Sequence, residues 1–395
     1  MINNIKSLSD RSIVRSKHNI IDCVVGARPN FMKIAPVLEI LSKESGVNTR
    51  LVHTGQHFDR SMNDVFFEEL NLPAPDIQLG VNSGTHTAQT ANIMLRLEKA
   101  FSEHRPDLIV VVGDVNSTVA AALVASKLTI PLAHIEAGLR SRDRTMPEEI
   151  NRLVTDSLSD IHFTTEPSAG QNLISEGTTS DRIHFVGNVM IDTLLSCLGR
   201  ARDPVETFRE VGVSQSFSEA VKSGFAFVTL HRPSNVDNPR QLSALADALK
   251  VVSRRIPLLF AVHPRTRKTL AALNHPIELN SDRIKITPPL SYLQTLGLQR
   301  SARLVITDSG GLQEETTALG TPCLTLRKST ERPITVEIGT NIVVGDDASE
   351  LPAAVEASLR NPKRGQMPEL WDGRASERIA NAILAFLSKG YRAAA

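Results

Sequence analysis

The residues of this chain best suited to proton transfer and anion binding stand in short clusters, most of them directly behind a run of aliphatic and β-branched residues. Asp114 lies in Gly113-Asp114-Val115-Asn116-Ser117-Thr118 and Glu136 in His134-Ile135-Glu136-Ala137-Gly138-Leu139-Arg140. Glu148 opens a helical pattern in Pro147-Glu148-Glu149-Ile150-Asn151-Arg152. Each has an ordinary structural explanation when taken alone: Asp114 as a helix cap, Glu148 as a first-turn charge favoured by the helix dipole. Three acids converging on one cleft do more. Neighbouring carboxylates raise one another's pKa, so one is protonated while another is ionised, the condition for paired acid and base catalysis.

A second set suits an anion. Gly26-Ala27-Arg28-Pro29-Asn30 leads into a helical pattern carrying Lys33, which places two cations and a helix N-terminus at a strand end. The most specific cluster is Thr307-Asp308-Ser309-Gly310-Gly311-Leu312-Gln313-Glu314-Glu315. Its glycines let backbone N–H groups approach a diphosphate, and Glu315, one helical turn after Gly311, is placed to accept bonds from ribose hydroxyls. His231-Arg232-Pro233-Ser234-Asn235 and His263-Pro264-Arg265 follow two further strand-like runs, and Arg327 with Thr330-Glu331-Arg332-Pro333 follows another. These are candidates to close over phosphate or sugar.

Positioning these clusters requires a particular scaffold. Runs suited to buried parallel strands occur at 20–25, 50–54, 108–112, 131–135, 161–164 and 183–186, then again at 225–230, 258–262, 284–286, 304–307, 323–326 and 341–344. Apolar residues recur at helical spacing between them, as in Ile34, Val37, Leu38 and Leu41. Strand and helix in alternation predict an α/β fold of two doubly wound Rossmann-like domains, whose ligands bind beyond the carboxyl ends of the strands. The division expected is a flexible extension over 1–19, a first domain over 20–187 and a second, nucleotide-binding domain over 188–374. The segment 187–193 carries the crossover. The helical pattern near the C-terminus suits packing on either domain.

Composition narrows the function. At 395 residues two domains are the prior, and 41% hydrophobic with 22% charged residues is ordinary for a globular protein. Lys and Arg number 44 against 43 Asp and Glu, so there is no bulk positive field to hold nucleic acid. Cys23, Cys197 and Cys323 stand far apart among apolar neighbours, matching neither a disulfide framework nor a metal site. No apolar run has signal-peptide or membrane-span character, so a cytoplasmic location without membrane partners is expected.

These motifs, in this order from about Ile20 to about Ala385, resemble the non-hydrolysing UDP-N-acetylglucosamine 2-epimerases. The likeness also includes Thr54-Gly55-Gln56-His57. It implies the GT-B type of fold, two facing Rossmann-like domains with the active site in the cleft between them. A C-terminal helix, 375–395, is expected to return to the first domain, and a homodimer is implied. The implied reaction removes the C2 proton and eliminates UDP in the anti sense, giving 2-acetamidoglucal. Re-addition then protonates C2 on the opposite face, supplying UDP-N-acetylmannosamine for bacterial surface polysaccharides. No cofactor or metal is implied.

By position, Asp114, Glu136 and Glu148 match the family's catalytic carboxylates and His231 its essential histidine. Arg28, Lys33, Ser309, Gly310, Gly311, Glu315 and Arg332 match UDP-binding positions, and Arg140 and Arg232 in the same motifs join them as substrate-binding candidates. Two departures bear on the sugar: many members have Gly-Thr-Arg-Pro-Glu where this chain ends in Asn30, and His-Arg-Arg-Glu-Asn where it has Pro233-Ser234. A UDP-2,3-diacetamido-glucuronate epimerase stays open as an alternative for that reason, and a hydrolysing 2-epimerase and a GT-B glycosyltransferase stay open as separate ones. Second-substrate activation through Gln56-His57-Phe58-Asp59-Arg60-Ser61-Met62 is not expected from its sequence.

Overall fold

The structure, a computed structural model, describes residues 18–56, 60–82, 84–272 and 281–389. The first sheet comprises β1 (Asn19–Val25), β2 (Val47–His53), β3 (Ile77–Gln78), β4 (Leu108–Val112), β5 (Leu132–Ile135), β6 (Ile161–Thr164) and β7 (Ile183–Phe185). Its order is β3-β2-β1-β4-β5-β6-β7. The second holds β8 (Ala226–Thr229), β9 (Leu258–Ala261), β10 (Ile284–Thr287), β11 (Leu304–Thr307), β12 (Cys323–Thr325) and β13 (Asn341–Val343), in the order β10-β9-β8-β11-β12-β13. Every pairing between named strands is parallel.

Burial on both faces explains the strand sequences. In β4 all five residues are buried; Leu108, Val110 and Val112 point into one core layer while Ile109 and Val111 point into the opposite one. β11 does the same, with Leu304 and Ile306 on one side and Val305 on the other. The twelve strands expected from such runs are all present. β3 is additional, because two residues are too few to display a period.

Strand order reverses between β1 and β4 in the first sheet and between β8 and β11 in the second, so crossovers diverge there and leave a crevice at the carboxyl ends. At the first reversal the β1 loop and the helix Asn116–Lys127 almost touch. A Cβ on Gly26 would stand 2.0 Å from Ser117 Oγ, so the position admits only glycine.

The C-terminal helix, Ala375–Ser388, sets Ile379, Ala380 and Ile383 into the cluster that holds Ile34, Val37 and Leu38 of the helix Arg28–Leu41. Its approach is anchored by Trp371, fully buried, whose Nε1 donates to Thr165 O at 3.1 Å. Buried Asp192 caps it from outside, accepting from Ala375 N at 3.2 Å and Ser376 N at 2.7 Å. The N-terminal extension, apart from His18 and Asn19, lies outside the described residues, as do His57, Phe58 and Asp59. Among the described residues the three cysteines are buried and unbridged, and no helix is long and apolar enough to cross a membrane.

Asp192→Ala removes this tertiary cap and leaves buried N–H groups without acceptors. It is expected to lower unfolding free energy by about 1–3 kcal/mol, read as an earlier urea midpoint; an unchanged midpoint would mean that the Asp192 cap adds nothing to stability.

Candidate active site

Glu136 follows β5 directly and takes φ +70°, a left-handed conformation uncommon outside glycine. Its own N–H and that of Ala137 both donate to Phe163 O at 3.0 Å, fixing the turn against β6. Its carboxylate meets Lys33 Nζ from the helix Arg28–Leu41 and Arg332 Nη2 from the loop after β12, with Arg152 Nη2 3.6 Å away. The residue is only 2% exposed. Burial alone would raise the carboxyl, but the charges of Arg332, Lys33 and Arg152 outweigh it and hold it at about 2. Arg332 continues the chain of charges through Nε to Glu314 Oε1 at 2.7 Å. Buried Glu314 is pushed the other way: desolvation and the Glu136 charge raise it, against the pull of Arg332.

The other two acids stand nearby. Asp114, in the turn after β4, pairs with the same Arg152 Nη2 that approaches Glu136, so one guanidinium serves both carboxylates. Glu148, in the first turn of the helix Pro147–Leu158, is 40% exposed, and its Oε1 is 3.6 Å from Arg232 Nη1 of the second sheet's edge. Arg232 also reaches Glu331 Oε1 at 3.3 Å. Glu331 in turn holds Arg327 at 2.6 Å, and the charges of Arg332, Arg327 and Arg232 overcome burial to keep it at about 2.

Opposite these acids, Ser309 precedes the helix Gly310–Leu319, and its hydroxyl makes no capping bond. A Cβ on Gly310 would lie 3.1 Å from Glu331 Oε1, whereas one on Gly311 would meet Met190 Cε at 3.6 Å and Ser309 Oγ at 4.0 Å. The first N–H groups of this helix lack intrahelical acceptors, as at every helix N-terminus, and are of the kind that can receive an anion. Asp308, buried beside them, accepts from the backbone N–H groups of His231 and Arg232, and His231 Nδ1 lies 3.0 Å from its Oδ1. The first sheet's edge therefore brings Asp114, Glu136, Glu148 and Lys33, and the second the helix N-terminus with His231, Arg232 and Arg332, an arrangement suited to removing a proton while a phosphorylated group departs.

The UDP-N-acetylglucosamine 2-epimerase family model matches residues 39–384. The chain belongs to this family. A UDP-N-acetylglucosamine 2-epimerase of Methanocaldococcus jannaschii is 42% identical over 366 residues, 91% of this chain and 97% of the relative. The UDP-2,3-diacetamido-2,3-dideoxy-D-glucuronate 2-epimerase of Pseudomonas aeruginosa is 38% identical over 363 residues, 91% and 98% of the two chains. Among solved structures, the M. jannaschii UDP-GlcNAc 2-epimerase in complex with UDP-GlcNAc and UDP superposes with TM-score 0.81 at 39% identity, covering 93% of this chain and 99% of that one. The Neisseria meningitidis enzyme bound to UDP-GlcNAc gives 0.79 at 28%, covering 93% and 100%. The architecture is the GT-B type that these epimerases share.

Within this member of the family, the structure gathers Asp114, Glu136, Lys33 and Arg332 into one contact network, and Glu148 and Arg232 into a pair beside it. Ser309, Gly310, Gly311 and His231 line the facing edge. Arg140 goes elsewhere: its guanidinium is engaged by Asp156 at 2.7 Å and by Glu176 at 2.5 Å, beneath the loop rather than in the network. Glu315 is buried against Gln299 Nε2 at 2.6 Å, and burial pushes its carboxyl up to about 7. Arg28 lies over the Phe66 ring at 5.4 Å. His263 Nδ1 accepts from Arg265 N at 3.2 Å and caps its helix.

Arg152, Glu314, Glu331 and Asp308 stand inside motifs noted in the sequence but received no role of their own from it. The available signal for Arg152 was its place four residues after Glu148, on the same helix face. Asn30 is also explained. Its Oδ1 accepts from Ala27 N at 3.1 Å and its Nδ2 donates to Val112 O at 2.8 Å, a bond no glutamate could donate. That departure is a loop staple, while Pro233 and Ser234 lie exposed on the rim.

Glu136→Gln leaves three buried cations short of an anion and is expected to cost about 3–5 kcal/mol at pH 7. Since the folded-state value of about 2 lies below the ordinary 4.5, this contribution is complete above pH 4.5 and fades as pH falls towards 2. Urea unfolding at pH 7 and pH 3 should show the gap between wild type and variant narrowing at the lower pH; a constant gap would contradict it.

Proposed function

We propose that this chain interconverts UDP-N-acetylglucosamine and UDP-N-acetylmannosamine without hydrolysis, by anti elimination of UDP to 2-acetamidoglucal and re-addition. The observation that carries the reading is the cluster in which half-buried Asp114 and buried Glu136 share Arg152 while Lys33 and Arg332 flank Glu136. Elimination needs a base at C2 and positive charge where the diphosphate departs. The cluster supplies both, in surroundings with little water to screen them.

In this reading UDP lies on the Ser309-Gly310-Gly311 turn, with its ribose towards Glu315 and with Arg28 and Arg332 closing over it. The sugar points at Asp114, Glu136 and Glu148. Entry of the diphosphate competes with Glu136 for Lys33 and Arg332. Release of those cations raises the carboxylate's basicity at the moment that a base is needed. Proton exchange on both faces of C2 requires more than one acid, which Asp114 and Glu148 satisfy beside Glu136. Residues 20–187 with the returning helix act as one moving unit and 188–374 as the other, in a cytoplasmic homodimer that serves surface polysaccharide synthesis.

A second reading has a specific support, the 38% identity to the P. aeruginosa diacetamido-glucuronate epimerase together with the altered rim at Pro233-Ser234. It keeps the same elimination and changes only the sugar.

Proton NMR of UDP-N-acetylglucosamine incubated with the protein in D2O should show UDP-N-acetylmannosamine carrying deuterium at C2. Free N-acetylmannosamine with UDP would move the assignment to hydrolysis, and turnover only of the diacetamido-glucuronate sugar would favour the second reading. Asp114→Asn is expected to lower kcat by about 10²–10⁴-fold, with UDP affinity by calorimetry within about threefold of wild type, as the carboxylate does not belong to the diphosphate turn.

A further inference from the structure

The Asp308 carboxylate closes β11 and immediately precedes the Ser309-Gly310-Gly311 turn. It is fully buried, and every partner around it is a donor. The backbone N–H of His231 lies 3.1 and 3.0 Å from its two oxygens, that of Arg232 2.9 Å from Oδ2, and Asn235 Nδ2 3.0 Å from Oδ2. The last approach is His231 Nδ1 at 3.0 Å from Oδ1. Asn235 is itself held by Leu326 O at 2.9 Å, so the loop after β8 is stapled to the ends of both β11 and β12.

Proton accounting follows from these contacts. A carboxylate already accepting three other hydrogen bonds and lowered below its usual range, because the attraction of His231 and its donors outweighs burial, has no proton to give. His231 Nδ1 must therefore be the donor. In the neutral ring the lone pair then falls on Nε2, on the edge turned away from Asp308, and the His231 side chain is 40% exposed. One buried carboxylate thus ties the ring tautomer of the histidine to the residue that begins the anion-binding turn.

We propose that Asp308 is a positioning residue for the reaction, holding His231 as the Nδ1–H tautomer so that Nε2 is the nitrogen presented to the cleft beside the Ser309-Gly310-Gly311 turn. A mere staple of the loop would need only the backbone bonds. The Nδ1 contact adds a chemical consequence, since it decides which ring nitrogen exchanges a proton and gives the ring a fixed counter-charge when Nε2 takes one up.

The effect on rate rests on the epimerase reading given above; the effect on the ring does not. Long-range proton–nitrogen NMR of full-length protein labelled in histidine, at alkaline pH where the ring is neutral, reads the tautomer. The His231 signals are identified by their loss in His231→Gln. Wild type should show Nδ1–H with bare Nε2, and Asp308→Asn a shift towards Nε2–H. On UDP-N-acetylglucosamine, Asp308→Asn should lose about 10²–10⁴-fold in kcat, with KM and UDP affinity within about threefold. The double variant Asp308→Asn/His231→Gln should be no slower than His231→Gln alone.

An Nε2–H tautomer in wild type overturns the proposal even if Asp308→Asn does not fold. So does a double variant whose losses multiply, or a variant that loses UDP binding in step with kcat. If wild type leaves UDP-N-acetylglucosamine unchanged, the substrate reading fails, and the tautomer measurement alone still decides the role of Asp308.

Discussion

The interaction on which this structure turns is the alternating series Lys33, Glu136, Arg332, Glu314, buried between the two sheets. A lone charge in such surroundings would be strongly destabilising, and the four are tolerated only because each lies against opposite charge. Lys33 and Glu136 come from the first sheet's layer, Arg332 and Glu314 from the second. Neither half can bury its share without the other, so this charged centre is built from both.

The rigidity of that centre comes from strand ends. Glu136 sits one residue beyond β5 in a left-handed conformation, and two backbone bonds to Phe163 keep it there. Asp308 plays the equivalent part beyond β11, where its donors lock the loop after β8 and the turn that opens the next helix. Side chains mounted this way lose little orientation freedom when a ligand arrives, which is the condition for charge stabilisation to act on a transition state rather than on loop ordering. The rim is different. Glu148 and Arg232 meet at 3.6 Å with a partly exposed carboxylate, a contact that solvent screening keeps weak.

Much of the polar chemistry near the site is structural. Glu149 accepts from Ser141 N at 2.7 Å and Arg142 N at 3.2 Å, so of the adjacent pair Glu148-Glu149 one side chain faces the second sheet and the other secures its own loop. His134 lies between Asp156 Oδ1 at 2.7 Å and Gly113 O at 2.8 Å, which ties the turn bearing Asp114 to the layer below. Arg140 and Asn30 serve likewise. Side chains of the same type thus divide between site and scaffold according to what surrounds them.

The sequence by itself determined the architecture and set the candidate residues at the strand ends. Aliphatic runs such as Leu108–Val112 admit little but doubly buried parallel strands, and clusters just after them must lie at the carboxyl edges where such sheets bind ligands. Asp114, Glu136, His231 and the Ser309 turn were placed at strand ends for that reason, whereas the lack of room for a Cβ at Gly26 arises only where Ser117 and Thr54 pack against it. Only the tertiary structure decided which charges meet. That Arg152 joins Asp114 to Glu136, that Arg332 reaches across from 196 positions away, and that Arg140 turns from the cleft towards Asp156 and Glu176 depend on distances set by the packing of two sheets. A carboxylate held at about 2 and another at about 7 likewise arise from burial and neighbours rather than from residue type. Local sequence carries periodicity and turn chemistry; pairings between distant residues come into being only when the chain folds.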